Sequence, residues 1–209
     1  MKTGLFFGSF NPIHIGHLAI ANYMVEFTDL DKVWFVISPH NPLKQKTTLL
    51  PDIQRLSMVR LAVEYDNRFK ASNIEFELPQ PSYTINTLEY LKEKHPEQEF
   101  VLIMGSDGLD TFHKWKNYKE LIANYQRYIY PRPETDKKLL QHIENGMVVN
   151  APLMEISSTF IRVSIAQGKD IRYFLPEKVW QFIYEMNLFK TLSPRNPPQT
   201  GNHKPTHKK

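Results

Sequence analysis

Short apolar runs alternate with longer amphipathic stretches along most of this 209-residue chain, and that alternation leaves it few folds to choose from. The apolar runs predict strands at Thr3–Phe7, Val33–Ser38, Phe69–Phe76, Phe100–Met104, Arg127–Tyr130 and Met147–Val149. Between and after them, helical spacing predicts helices at Gly16–Phe27, Pro51–Tyr65, Thr84–Lys94, Tyr118–Asn124, Asp136–Asn145, Ser158–Gln167 and Pro176–Glu185. Strands separated by helices build βαβ units, so the fold class is α/β, a doubly wound parallel sheet with a small C-terminal helical part. In such sheets ligands sit outside the carboxyl ends of the strands, in the loops that lead into helices. Residues with chemistry to do are expected there.

Composition narrows the function further. The chain has no cysteine, which removes disulfides, thiolate metal sites and cysteine nucleophiles, and which agrees with a reducing, cytoplasmic setting. No apolar run approaches the ~20 residues that a membrane span needs. The formal net charge of +4 equals the charge of Arg195, Lys204, Lys208 and Lys209, so residues 1–192 balance to zero. The basic signal therefore belongs to a terminal segment and gives no reason to expect nucleic acid as a partner. Residues 1–190 are expected to form one domain, and residues 191–209, rich in Pro, Asn, Thr and Lys, a disordered basic tail. A homo-oligomer is compatible with the sequence without being dictated by it.

The first strand runs into Gly8-Ser9-Phe10-Asn11-Pro12-Ile13-His14-Ile15-Gly16-His17, followed by a helix. Gly8 permits a tight turn, Pro12 restricts it, and Gly16 lets the backbone approach a ligand at the helix start. A helix N-terminus offers unpaired N–H groups and partial positive charge, which suits an anion. His14 and His17 would add hydrogen-bond donors and, if protonated, charge. The pair could also be a metal site or a polar surface pair, but no third ligand stands within the motif. Near the other end, Ile156-Ser157-Ser158-Thr159-Phe160-Ile161-Arg162 opens a second helix with Ser158 as the expected N-cap. Taken alone it reads as capping residues and a solvated arginine.

Together the two segments resemble the paired motifs of the nucleotidyltransferase superfamily, which also holds the class I aminoacyl-tRNA synthetases. The resemblance implies a Rossmann-like domain in which His14, His17 and Arg162 are catalytic. It implies an ATP site formed by Gly8, Ser9, Phe10, His14, His17, Gly105, Asp107, Ser157, Ser158, Thr159 and Arg162. Three further segments are similar to the nicotinate-mononucleotide adenylyltransferases: Ser38-Pro39-His40-Asn41-Pro42-Leu43-Lys44, Pro81-Ser82-Tyr83-Thr84-Ile85-Asn86-Thr87-Leu88, and Gly105-Ser106-Asp107 with Phe112-His113-Lys114-Trp115. From these, from Asn11 in the first motif and from Arg132 in Tyr130-Pro131-Arg132-Pro133, the resemblance implies a mononucleotide site of Asn11, Lys44, Tyr83, Thr84, Trp115 and Arg132. Trp115 would stack on the pyridine ring, and backbone N–H groups near Thr84 and Trp115 would receive its carboxylate. Asp107 suits ribose hydroxyls, or a helix cap. Asn86 and Asn11 stand where the family pattern usually or often has Asp, and Glu134 where it often has Gly.

The implied reaction joins ATP to nicotinate mononucleotide, with Mg²⁺ held through substrate phosphates rather than by a protein cage. Phosphopantetheine adenylyltransferases share the first motif but are shorter and do not fit the middle segments. A synthetase would need tRNA-binding domains for which 209 residues leave no room. A non-catalytic nucleotide sensor would not require both phosphate motifs to be complete.

Overall fold

The computed structural model describes residues 1–39, 49–133, 135, 140–141 and 143–190. Six strands form one sheet: β1 (Lys2–Gly8), β2 (Lys32–Ile37), β3 (Phe69–Ser72), β4 (Glu99–Gly105), β5 (Arg127–Tyr130) and β6 (Gly146–Val148). Seven α-helices occur among the described residues: α1 (Ile15–Phe27), α2 (Asp52–Val63), α3 (Thr84–Lys94), α4 (Leu109–Phe112), α5 (Tyr118–Asn124), α6 (Ser158–Ala166) and α7 (Glu177–Glu185). None is long and apolar enough to cross a membrane.

Every neighbouring pair of strands is parallel, in the order β3-β2-β1-β4-β5-β6. The Rossmann-like sheet expected from the alternation is therefore present. Its strands are apolar at successive positions because both faces are covered. In β1 Phe6 joins the core beneath α1, α2, α6 and α7, and its neighbour Leu5 joins the core beneath α3 and α5. Phe35 and Trp34 divide in the same way along β2, as do Ile103 and Leu102 along β4. The chain winds outward from β1 to β3 and then crosses back to β4. The order reverses between β1 and β4, and a crevice opens above their carboxyl ends.

Two predicted elements differ. The strand expected over Phe69–Phe76 stops at Ser72 and gives way to a 3₁₀ turn at Ile74–Phe76. Its partner β2 ends one residue beyond the pairing of Val36 with Ser72, so the ladder has nothing to continue on. The Ser72 hydroxyl then accepts the Ile74 N–H at 3.4 Å, and the turn buries Ile74 and Glu75. Half of the helix expected over Asp136–Asn145 lies outside the described residues, and its described residues, 140–141 and 143–145, are not α-helical; Lys44 and the segment 191–209 also lie outside the described residues.

One side chain holds the loops at the top of the sheet. Arg55 on α2 is fully buried, and its guanidinium donates to the carbonyls of Ser9 (2.6 Å), Ser38 (2.9 Å), Leu50 (3.1 Å) and Pro39 (3.3 Å). Its charge is met by Asp52 Oδ1 at 2.5 Å. Burial pulls its pKa down and Asp52 pulls it back up. The carbonyls of Ser9, Ser38 and Pro39 follow β1 and β2 where no further strand pairing is available, that of Leu50 precedes α2, and the planar fork reaches them all. Arg55→Met should leave these acceptors without their donor and cost about 3–5 kcal/mol of unfolding free energy in urea titration. Arg55→Lys should recover only part of it, and a loss below about 1 kcal/mol for Arg55→Met would contradict this role.

Candidate active site

The crevice is a cleft of about 770 Å³. The β1–α1 turn forms one wall. Phe10 adopts a left-handed backbone with φ 43°, an uncommon conformation for a bulky residue that places strain beside the cleft. A methyl group at Gly8 would lie 2.8 Å from the Phe10 ring, so this turn closes only over glycine. His14 is the N-cap of α1 and His17 its third residue, which explains a spacing of three: these are the positions whose side chains meet at a helix start. The rings stack with centroids 3.7 Å apart, and His17 Nδ1 accepts the His14 N–H at 3.2 Å. Phe10 meets the His17 ring edge-on at 5.1 Å. Gly16 makes room for protein rather than ligand, because a Cβ there would come within 3.0 Å of His14 Nδ1 and 3.6 Å of Ile156.

The N-terminus of α6 joins this wall. Its N-cap is Ser157, whose hydroxyl accepts the Phe160 N–H at 3.1 Å, one residue before the expected Ser158. Ser158 is already helical, which frees its hydroxyl to donate to the Pro12 carbonyl at 2.8 Å. Arg162 donates to the Asn11 carbonyl at 2.8 Å and to Thr159 Oγ1 at 3.3 Å. The two segments, about 150 residues apart in sequence, are thus bonded directly.

Tyr83, the N-cap of α3, lies on the opposite side with Thr84, the half-buried Trp115 and Lys116, whose ammonium sits 4.5 Å from the Tyr83 ring centre. Trp115 packs on Phe112 at 5.1 Å, and its own N–H is taken by the Phe112 carbonyl at 3.0 Å. That N–H is thus already engaged within its own turn, while the first amides of α3 have no intrahelical acceptor. Between the walls, Arg132 donates to the Tyr130 hydroxyl at 3.2 Å and stands 3.8 Å from Asp107. Asp107 is mostly exposed and lies within a 3₁₀ turn at Ser106–Gly108, so it is not the cap of that turn.

Gly8, Ser9, Phe10, Asn11, His14, His17, Tyr83, Thr84, Gly105, Asp107, Trp115, Arg132, Ser157, Ser158, Thr159 and Arg162 all line this one cleft. Lys44 lies outside the described residues. The sequence reading missed Glu75, Tyr130, Lys114 and Lys116, which line it too, and Ser106, whose buried hydroxyl accepts the Arg132 N–H at 2.8 Å.

The sequence profile of the cytidylyltransferase-like family matches residues 5–164. A Flavobacterium johnsoniae protein named "Probable nicotinate-nucleotide adenylyltransferase" is 56% identical over 192 residues, covering 91% of this chain and 100% of that protein. A Flavobacterium psychrophilum protein of the same name is 55% identical over 192 residues with the same coverage. The chain belongs to the nicotinate-nucleotide adenylyltransferase family. The fold agrees: the Plasmodium falciparum nicotinic acid mononucleotide adenylyltransferase complexed with NaAD superposes with a TM-score of 0.76 at 20% identity, over 90% of this chain and 97% of that one.

For a member of this family the electrostatics of the histidine pair are informative. His14 is buried, and desolvation together with the Arg132 charge lowers its pKa from 6.5 to about 3. It is therefore a neutral imidazole, not the added positive charge that a protonated ring would give. Its Nδ1 is buried, with no hydrogen-bond partner of ordinary geometry among the described residues. Because the folded pKa is depressed, His14 contributes stability at high pH that is lost as pH falls below the unfolded value of 6.5 towards 3. NMR titration should find the His14 ring neutral until pH approaches 3. The acid-side loss of unfolding free energy should be shallower in His14→Asn. A His14 ring that protonates near 6.5 would contradict this assignment.

Proposed function

We propose that this cleft transfers the adenylyl group of ATP to the phosphate of nicotinate mononucleotide, yielding nicotinate adenine dinucleotide and pyrophosphate, a step of NAD synthesis. The observation that carries the reading is the direct bonding of the β1–α1 turn to the start of α6, through Ser158 to Pro12 and Arg162 to Asn11. Two helix N-termini, two imidazoles and an arginine thereby line one wall, opposite Tyr83, Thr84 and Trp115. The names of the Flavobacterium relatives support the same activity.

A mononucleotide phosphate oxygen attacks the α-phosphorus of ATP in line; the new P–O bond forms as the bond to the β-phosphate oxygen breaks, and pyrophosphate leaves with that electron pair. A phosphate dianion is already nucleophilic, so the step needs positioning and charge neutralisation rather than a catalytic base. The His14 N–H occupies Nδ1 of His17, which fixes the proton of a neutral His17 ring on Nε2 and makes that nitrogen a donor. Arg162 stays charged, since burial lowers its pKa only from a very high starting value. Gly8, Ser9, Phe10, Gly105, Asp107, Ser157, Ser158 and Thr159 complete the ATP side of this reading. Asn11, Lys44, Tyr83, Thr84, Trp115 and Arg132 take the mononucleotide. No group of three or more metal-ligating side chains occurs among the described residues, and Mg²⁺ enters this reading as part of the ATP substrate.

His17→Ala should lower kcat by about two to three orders of magnitude with a smaller change in ATP affinity, measured as pyrophosphate release. Near-normal turnover by a folded His17→Ala protein would sink the mechanism. The acid should be preferred to nicotinamide mononucleotide, because a carboxamide turns an N–H donor towards the amide donors that open α3. Such a mismatch is worth up to about a hundredfold in kcat/KM, and equal specificity constants for the two would refute it.

A further inference from the structure

Glu75 has no part in the chemistry above, yet it is 2% exposed and lies against the mononucleotide side of the cleft. Its Oε1 accepts the Thr87 hydroxyl of α3 at 2.9 Å, and its Oε2 is buried with no hydrogen-bond partner among the described residues. The Ser38 hydroxyl at the end of β2 and the Ser82 hydroxyl before α3 also face the carboxyl. The Glu75 carbonyl accepts Gln80 Nε2 at 2.8 Å, and Gln80 Oε1 accepts the Ser82 N–H at 3.3 Å. The turn at Ile74–Phe76 is thus tied to the segment that leads into α3. An acid so placed, whose polar neighbours among the described residues are the hydroxyls of Ser38, Ser82 and Thr87, does more than fill space.

We propose that Glu75 is a positioning residue for substrate choice: through Thr87, Ser82 and Ser38 its carboxyl fixes the first turn of α3 against the end of β2, where the pyridine carboxylate of the mononucleotide is received. The inference rests on the function proposed above. Burial pushes the Glu75 carboxyl up from its ordinary 4.5, outweighing the three hydroxyls, and no charged side chain among the described residues acts on it. In its neutral form it sits behind the receiving N–H groups without opposing a carboxylate. Ionised, it would place negative charge next to the substrate's own and penalise the acid but not the amide. The ratio of kcat/KM for nicotinate over nicotinamide mononucleotide therefore reports its state, because the two substrates share the same phosphate.

That ratio is to be measured in the full-length enzyme from the range of an ordinary carboxyl, about pH 4 to 5, upward across the pH range in which it stays folded. Wild type should show the ratio falling as pH rises, and Glu75→Gln, which keeps a neutral group of the same shape, should give a flat ratio within about twofold of the wild-type value at low pH. Thr87→Val should lower the ratio about tenfold while the KM for ATP changes by less than about twofold. A flat wild-type ratio, a Glu75→Gln profile that overlays a sloping wild-type one, or equal losses on both mononucleotides in Thr87→Val would each overturn the inference and leave the proposed function standing. A wild-type enzyme that does not adenylylate nicotinate mononucleotide would remove both.

Discussion

The fork of Arg55 is the contact on which the cleft depends. A parallel sheet ends in carbonyls that have no further strand to bond, and the turns that follow β1 and β2 bury them. Arg55 reaches the carbonyls of Ser9, Ser38, Leu50 and Pro39 from α2 and is neutralised by Asp52 on the same helix. A charge buried in this way is costly unless every donor is engaged. Ser9, Ser38, Pro39 and Leu50 are therefore held together above the switch between β1 and β4.

Upon that frame the two ends of the chain meet. Ser158 and Arg162 hold backbone carbonyls of the β1–α1 turn, so the imidazole pair and the start of α6 are fixed relative to one another before any ligand arrives. Catalysis of phosphoryl transfer depends on such preorganisation, since little covalent work falls to the protein. The depressed pKa of His14 fits this: a ring that stays neutral avoids a buried charge beside Arg132. The strained backbone at Phe10 sits in the same turn, held by the Phe6, His17 and Phe35 rings around it.

Much of this was legible in the sequence, and the limits have physical causes. The sheet followed from apolar runs spaced by helical stretches, and the site from two motifs placed where strands lead into helices. The cap of α6 was misplaced by one residue because Ser157 and Ser158 are both good caps, and only the Ser158–Pro12 bond separates their roles. The strand ends at Ser72 rather than Phe76, and apolar content alone does not reveal where a neighbouring strand stops. Arg55 went unnoticed although it precedes Val59 and Val63 by four and eight residues, which puts it on the buried face of α2. A charged residue at such a spacing is the signal that could have found it. Glu75 lay inside an expected strand, and nothing local marks an acid whose partners are Ser38, Ser82 and Thr87.

The most direct test of the account is a crystal structure with nicotinate adenine dinucleotide bound. The diphosphate should lie between the histidine pair and Arg162, with the pyridine ring against Trp115 and its carboxylate at the start of α3. A dinucleotide bound with its adenine at Trp115, or with its diphosphate away from His14 and His17, would contradict it.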